Sequence, residues 1–399
     1  MGKRYGSRVC PSCTGCGACR EACGAGALRM ESDAEGFSYP RVDAALCTNC
    51  GACGAACPAN RARPSPWKAG FAARSLDEGV RESSSSGGVF TVLAEAVLGR
   101  GGIVFGAALL PGRDGLALRH IAVEDAAGLS ALRGSKYVQS DLGGAYAQVR
   151  AALDDGREAL FSGTPCQVAG LYAVTGGPRG NLLTVDLVCH GAPSPLVFAA
   201  YLRYLEKGRG QRVTALSFRD KRRGWKDFCL AATFADGGEH VAGQTEDPYL
   251  IAFLRNLCLR PCCHACPFAG EKRPADLSLG DLWGARRVMP EADDDRGLSL
   301  VLVGSARGAR AMEEASARLW LTPADAAAFE RDNPGIYRAG GAHPRRAAFL
   351  RHVRRYGFEG AEAFFAAPGP LRRLAQAAKS VPGRALRKAG RRLGLVPKG

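Results

Sequence analysis

No apolar run in the 399-residue chain reaches the roughly 18 residues of a membrane-spanning helix. The longest candidate, residues 101–110, is the size of a strand. Residues 1–9 are polar and basic and lack the apolar core of a signal peptide. Acidic residues are missing from positions 366–399, which hold nine Lys or Arg of a net charge of +16. Aromatic residues are missing there too, so the stacking platform of a single-strand nucleic-acid binder is absent. No nucleic-acid partner is expected. Leu371, Leu374, Leu386, Leu393 and Leu395, broken by Pro382 and Gly383, leave two readings of this stretch. One is a solvated basic tail, which the charge favours. The other is a pair of basic amphipathic helices making peripheral contact with an anionic membrane.

Hydrophobic residues are plentiful at 46%, enough for a sizeable core, and the length suits two or three domains. Cysteine is abundant, with sixteen in all. Cys13, Cys16, Cys19 and Cys23 are followed by Cys47, Cys50, Cys53 and Cys57, both runs spaced C-x2-C-x2-C-x3-C. This is the bacterial-type arrangement for two [4Fe–4S] clusters. A cubane offers four irons, each wanting one thiolate. Three cysteines two residues apart wrap one face of it on a tight loop. The fourth sits past a short helical turn and serves the other cluster. The expected sets are Cys13, Cys16, Cys19 and Cys57, then Cys47, Cys50, Cys53 and Cys23. A disulfide framework or zinc explains two identical runs less well. Gly24 stands where the first run would carry a proline, which removes no ligand. Cys10 is left as a spare thiol. Thiols held for clusters need a reducing compartment, so a cytoplasmic location is expected.

The chain divides by pattern. Residues 1–60 form the dicluster ferredoxin-type domain. Residues 61–79, with Pro64 and Pro66, read as a linker. Residues 80–290 alternate strands and helices: a helix over 89–98, strands over 103–108, 158–161 and 182–188, and a helix opening near 167. Residues 291–365 are Ala-rich and read as helical, and 366–399 form the basic tail. The fold class is therefore α+β: a ferredoxin domain, then an α/β domain with a mostly buried sheet.

Three loops of the second domain carry chemistry. Ser83, Ser84, Ser85 and Ser86 with Gly87 and Gly88 open a helix, a place for a cofactor phosphate. Residues 163–166 (GTPC) and 189–191 (CHG) follow strand ends, where α/β proteins bind ligands. Cys258, Cys262, Cys263 and Cys266 come later. Of the seven cysteines beyond the ferredoxin runs, all but Cys229 lie in these segments. A third metal site is the economical reading, zinc or iron–sulfur.

Residues 84–90 (SSSGGVF), 132–140 (LRGSKYVQS), 161–170 (FSGTPCQVAG), 189–194 (CHGAPS), 218–225 (FRDKRRGW), 259–268 (LRPCCHACPF) and 276–284 (DLSLGDLWG) follow one another in order. Together they resemble the coenzyme F-420 hydrogenase/dehydrogenase beta-subunit family. The resemblance implies an FAD enzyme with a further [4Fe–4S] cluster on Cys166, Cys189, Cys263 and Cys266, with Cys258 and Cys262 in reserve. It implies an FAD site at Ser86, Gly87, Gly88, Ser135, Lys136 and Tyr137. Lys136 would counter a pyrophosphate or the reduced flavin. Arg219, Lys221 and Trp225 would suit an anionic, aromatic partner through charge and stacking. His190 is open to two roles, proton donor or loop cap. Asp281 and Trp283 carry no assigned role. The implied activity is electron passage between clusters and a hydride partner, coenzyme F-420 or another organic substrate, for example in cell-surface polysaccharide metabolism. A redox partner protein is expected. The alternatives are a non-catalytic electron-transfer subunit of a larger complex, and clusters with a purely structural role, for which no motif speaks.

Overall fold

The computed structural model describes residues 12–60, 66–112 and 115–365. Cys10 and the basic stretch 366–399 lie outside them. Met1–Glu359 form one compact unit and Gly360–Gly399 a second. The second is described only around a short turn of helix, Ala361–Phe364. Among the described residues no helix is long and apolar enough to cross a membrane.

The sequence repeat of the N-terminal part is also a backbone repeat. Gly17 (φ 73°) and Gly51 (φ 76°) each adopt the left-handed conformation just before a one-turn helix, Ala18–Glu21 and Ala52–Ala55. A side chain is disfavoured at that φ, so glycine is what lets the loop turn around a cluster. Between the runs, β1 (Leu28–Ser32) and β2 (Ser38–Val42) pair antiparallel. Their connection is held by Asp33, whose Oδ1 accepts from the N–H groups of Glu35 and Phe37, each at 2.9 Å.

The remaining strands are β3 (Ala69–Ser75), β4 (Ile103–Gly112), β5 (Gly115–Val123), β6 (Ala159–Gly163), β7 (Leu182–Leu187), β8 (Val213–Asp220), β9 (Cys229–Phe234), β10 (Glu239–Gly243), β11 (Leu277–Asp281), β12 (Ser299–Val303) and β13 (Leu319–Pro323). Eight of them form one mixed sheet, ordered β13-β3-β12-β11-β7-β6-β4-β5. Its middle, β4, β6, β7 and β11, is parallel and its flanks are antiparallel. Strands β8, β9 and β10 make a separate antiparallel sheet. The parallel strands are covered on both faces, as their continuous apolar runs require. On β6, Leu160 packs with Val92, Leu129 and Met312 on one face. Its neighbours Ala159 and Phe161 point the other way, toward Tyr146, Val149 and Leu171. Cys16 and Ala18 of the ferredoxin part belong to this second core, so the two parts share packing.

Two boundaries depart from the sequence reading. Residues 69–75 are a strand inside the main sheet, not the end of a linker. Residues 291–365 are not uniformly helical, because β12 and β13 pair with β3 and complete the sheet. Both strands are short; β13 owes its form to a partner more than 200 residues away, and β12 lies between that same partner and β11, so no local pattern carries either. The C-terminal ends of β6, β7 and β11 bring Cys166, Cys189 and Asp281 to one edge of the sheet.

Candidate functional site

Cys57 stands beside Cys13, Cys16 and Cys19. Burial pushes the Cys19 thiol up to about 12, and the charges of Cys16, Cys13 and Cys57 push it further in the same direction. Cys16 is raised to about 11, first by burial, with Cys13 and Cys57 adding to it. In the other ring Cys53 is raised by burial, and Cys23 and Cys47 act on it. Cys50 is exposed, and its pKa is lowered by the Ala52 N–H and the Thr48 hydroxyl. Iron binding must displace the protons that burial keeps on these thiols.

A third ring lies at the sheet edge. Cys166 opens the helix Pro165–Thr175 behind a capping box of Thr164 and Gln167. Its thiol is raised far above its ordinary value by burial, and Cys189 and Cys266 add to that. Cys189 is pushed up to about 12 by burial, then by Cys263 and Cys266. Polar groups point at the sulfurs. Thr164 Oγ1 lies 3.1 Å from Cys166 Sγ, and the N–H groups of Ala192 and Phe268 donate at 3.4 Å to Cys263 and Cys266. Donors aimed at sulfur are what an iron–sulfur site uses to set its potential. A thiol hydrogen bond from Cys262 favours the thiolate of Cys263, with the Ala192 N–H adding to it. Cys258 is buried apart, with Arg346 and Ser194 as its neighbours. Among the described residues, no three His, Cys, Asp or Glu side chains are arranged to hold a single metal ion.

The first and third rings adjoin each other. Cys16 is among the groups whose charge acts on Cys166. A Cβ on Gly170, one turn along the Cys166 helix, would lie 3.2 Å from both Cβ and Sγ of Cys16. Only glycine lets the ferredoxin part seat here.

The serine–glycine loop, the 133–137 loop and the end of β8 also converge. Ser85 Oγ accepts from the Ser135 N–H at 2.5 Å. Arg219 donates to the Tyr137 hydroxyl at 3.3 Å and to the Ser85 carbonyl at 3.4 Å. It is 7% exposed and ion-paired with Asp281 at 2.8 Å. Trp225 is 1% exposed, donates to Asp281 at 3.0 Å and stacks on Trp283 at 4.5 Å. Lys221 donates to the carbonyls of Arg81 and Arg296, and burial together with Arg81 and Arg219 draws it down to about 8. These three side chains are therefore engaged inside the protein, holding loops. Asp281, left without a role by the sequence, is the hub that orients two of them.

Ser84 and Ser86 donate to the carbonyls of Val80 and Leu298. Their hydroxyls are committed, so a phosphate here would meet the backbone N–H groups that open the helix Val89–Gly99. Gly88 (φ 87°) caps that helix, and a Cβ on Gly87 would run into the Ala73 carbonyl. Lys136 donates to the carbonyls of Arg133 (2.6 Å) and Ala131 (3.1 Å), and burial pulls its amine down to about 7. Tyr137 stacks on Phe253 at 4.4 Å, and Phe253 meets the edge of His190 at 4.8 Å, next to Cys189. The protein crowding one side of His190 lowers its pKa.

Two further groups escape sequence reasoning. His120 is buried, with Nε2 3.1 Å from the Ser162 carbonyl, Nδ1 without a hydrogen-bond partner, and its ring stacked on Phe161. Burial drops its pKa to about 4, so it is neutral. The alternation of β5, with Leu116, Leu118 and His120 on one face, is the signal that places it inside. Arg260 is fully buried between the ferredoxin part and the loop of Cys263.

Comparison with known proteins places names beside this geometry. Residues 70–145 and 156–327 match the N- and C-terminal family models of "Coenzyme F420 hydrogenase/dehydrogenase, beta subunit", and residues 12–61 match "4Fe-4S dicluster domain". Among curated proteins, none matches. A chain of the F420-reducing [NiFe] hydrogenase complex from Methanosarcina barkeri is similar at 17% identity, over 75% of this chain and 92% of that one. Its TM-score is 0.46.

Proposed function

The chain belongs to the coenzyme F420 hydrogenase/dehydrogenase beta-subunit family and carries a 4Fe-4S dicluster domain, and from that premise we propose that it is an iron–sulfur flavoprotein passing electrons between its clusters and a hydride partner. The observation that carries this is the contact of Cys16 with the Cys166 helix across Gly170. It puts a ferredoxin ring against a third ring of thiols at the sheet edge. Electrons would enter or leave at the ring of exposed Cys50 and pass through the buried ring of Cys16. The third ring, Cys166, Cys189, Cys263 and Cys266, would hold the last [4Fe–4S] cluster.

FAD fits the loops beyond it in three respects. The helix at Val89 begins with N–H groups not used within the helix, Gly87 and Gly88 let the loop that precedes it pack closely on Ala73, Ser75 and Val80, and Lys136 is a half-buried amine bonded only to carbonyls. A bound flavin would supply the exchange between single electrons and hydride. Ser86, Gly87, Gly88, Ser135 and Tyr137 would shape its bed, and Lys136 would face its anionic part. Arg219, Lys221 and Trp225 hold that bed from inside. His190, beside Cys189 and against Phe253, is the group placed to hold a proton near the third ring. Coenzyme F420 is the hydride partner that the family's name favours, and a reducing compartment suits the thiols. A second reading, an electron-transfer subunit silent without a partner, is favoured by the word subunit in the family description.

Iron and flavin content of anaerobically purified protein tests the proposal. Three clusters and one flavin per chain are expected. Iron for two clusters with no flavin would remove the whole assignment beyond residue 60. Bleaching of the flavin by reduced F420 in the isolated chain separates the catalytic from the subunit reading.

A further inference from the structure

A buried guanidinium normally has a carboxylate beside it, because an unpaired charge is costly to desolvate. Arg260 is 0% exposed, and every partner of its side chain is a carbonyl, an amide or a sulfur. Nε donates to the Cys13 carbonyl at 2.8 Å, Nη1 to Gln139 Oε1 at 3.0 Å and Nη2 to the Ser38 carbonyl at 3.0 Å. Nη2 also lies 3.8 Å from Cys13 Sγ. The planar cation is covered by the Tyr39 ring at 4.0 Å. A Cβ on Gly15 would lie 2.8 Å from Nη1, so the cluster loop leaves a slot for this side chain.

The main chain of Arg260 belongs elsewhere. Its N–H donates to the Ala192 carbonyl at 2.9 Å, and its carbonyl accepts from the Cys263 N–H at 3.0 Å. One residue thus has its backbone in the loops of the third ring and its guanidinium against Cys13 of the first, from where its charge also reaches Cys263.

We propose that Arg260 is the resident counter-charge of the cluster held by Cys13, Cys16, Cys19 and Cys57, raising that cluster's reduction potential as the electron relay between the two outer rings. The inference rests on the proposed route through that ring. Four thiolates give a [4Fe–4S] centre a net negative charge, and reduction adds to it. A fixed cation at a ligating sulfur, screened from water, favours the reduced form. At the junction this charge offsets the cost that burial places on adding an electron to the inner ring, and so keeps the relay reducible. Arg260 is a positioning residue in that it acts through the cluster.

Potentiometric titration of the full chain, followed by electron paramagnetic resonance, tests this. Arg260→Met should move one cluster's midpoint to more negative potential by about 59 mV, a tenfold change in its reduced-to-oxidised ratio. Arg260→Lys, which keeps the charge, should restore most of the shift. Gln139→Glu keeps Arg260 in place and sets a carboxylate against Nη1. It should move the same midpoint the same way, and it decides the matter if Arg260→Met loads no iron. Midpoints unmoved by Gln139→Glu, or moved equally by Arg260→Met and Arg260→Lys, would show a mere brace. Absence of a first-ring cluster in the parent protein would overturn the inference together with the route beneath it.

Discussion

The two ferredoxin rings have the same cysteine spacing and nearly the same glycine turn, yet they live in different surroundings. Around the first, Cys16 and Ala18 are part of the core that holds Tyr146 and Phe161. Around the second, Cys50, Leu46 and Val42 face solvent. Spacing decides which thiols can share a cluster. Packing decides which cluster faces inward and which can meet a partner. The same contrast shows in the thiols themselves: Cys16 is raised to about 11 by burial, while Cys50 is lowered by hydrogen bonds at the surface.

The sharpest way to break the contrast is to unseat the inner ring. Gly170→Val places atoms against Cys16 and the Tyr146 hydroxyl, which is 2.6 Å from where a Cβ would sit. It should cost about 3 kcal/mol or more in denaturant unfolding, with iron lost first from the inner ring. Acid should also weaken that side selectively. His120, stacked on Phe161, titrates near 4 when folded against 6.5 when unfolded. Its folded value is depressed, so the stability it contributes is present above pH 6.5 and is lost as pH falls toward 4. The loss is on the order of 3 kcal/mol, and His120→Gln, which does not titrate, should flatten that part of the stability–pH curve.

In iron-free protein at neutral pH, a thiol reagent should label exposed Cys50 much faster than Cys16, because hydrogen bonds lower the one thiol and burial raises the other to about 11. Peptide mapping of a brief pulse measures the ratio, and equal labelling would dissolve the inside–outside distinction. The smallest effect tests the likeness between the rings. Gly17→Ala and Gly51→Ala force a side chain into the same left-handed turn, with nothing within 4 Å of either position. Each should cost about 1–2 kcal/mol in thermal unfolding, equally despite the different burial.

Legibility in the sequence followed the range of the interactions involved. The cysteine runs, the helix at Val89–Gly99 and the loops after β6 and β7 rest on local spacing and were readable. The strand Ala69–Ser75 was not, because AGFAARS carries no strand pattern of its own and pairs with β12 and β13 from the far end of the chain. The five-residue run of β12, SLVLV, is too short to be told from buried helix by periodicity. At the site, residue types pointed to loops that the fold brings together, but not to the orientation of their side chains. Arg219 and Trp225 have the charge and ring of substrate-binding groups, yet Asp281 draws both inward. Arg260 looks like one more basic residue until Cys13 and Ser38, more than 200 positions earlier, close around it.

Cys189→Ser interrupts the proposed route from the outer ring through the inner ring to the third. After anaerobic loading with iron and flavin, the variant is mixed with a one-electron reductant protein and followed by rapid-scan absorbance. The ferredoxin clusters should reduce at the parent rate while the flavin stays oxidised. Flavin reduction at the parent rate would show that electrons reach it without the third ring, and the proposed route would fall.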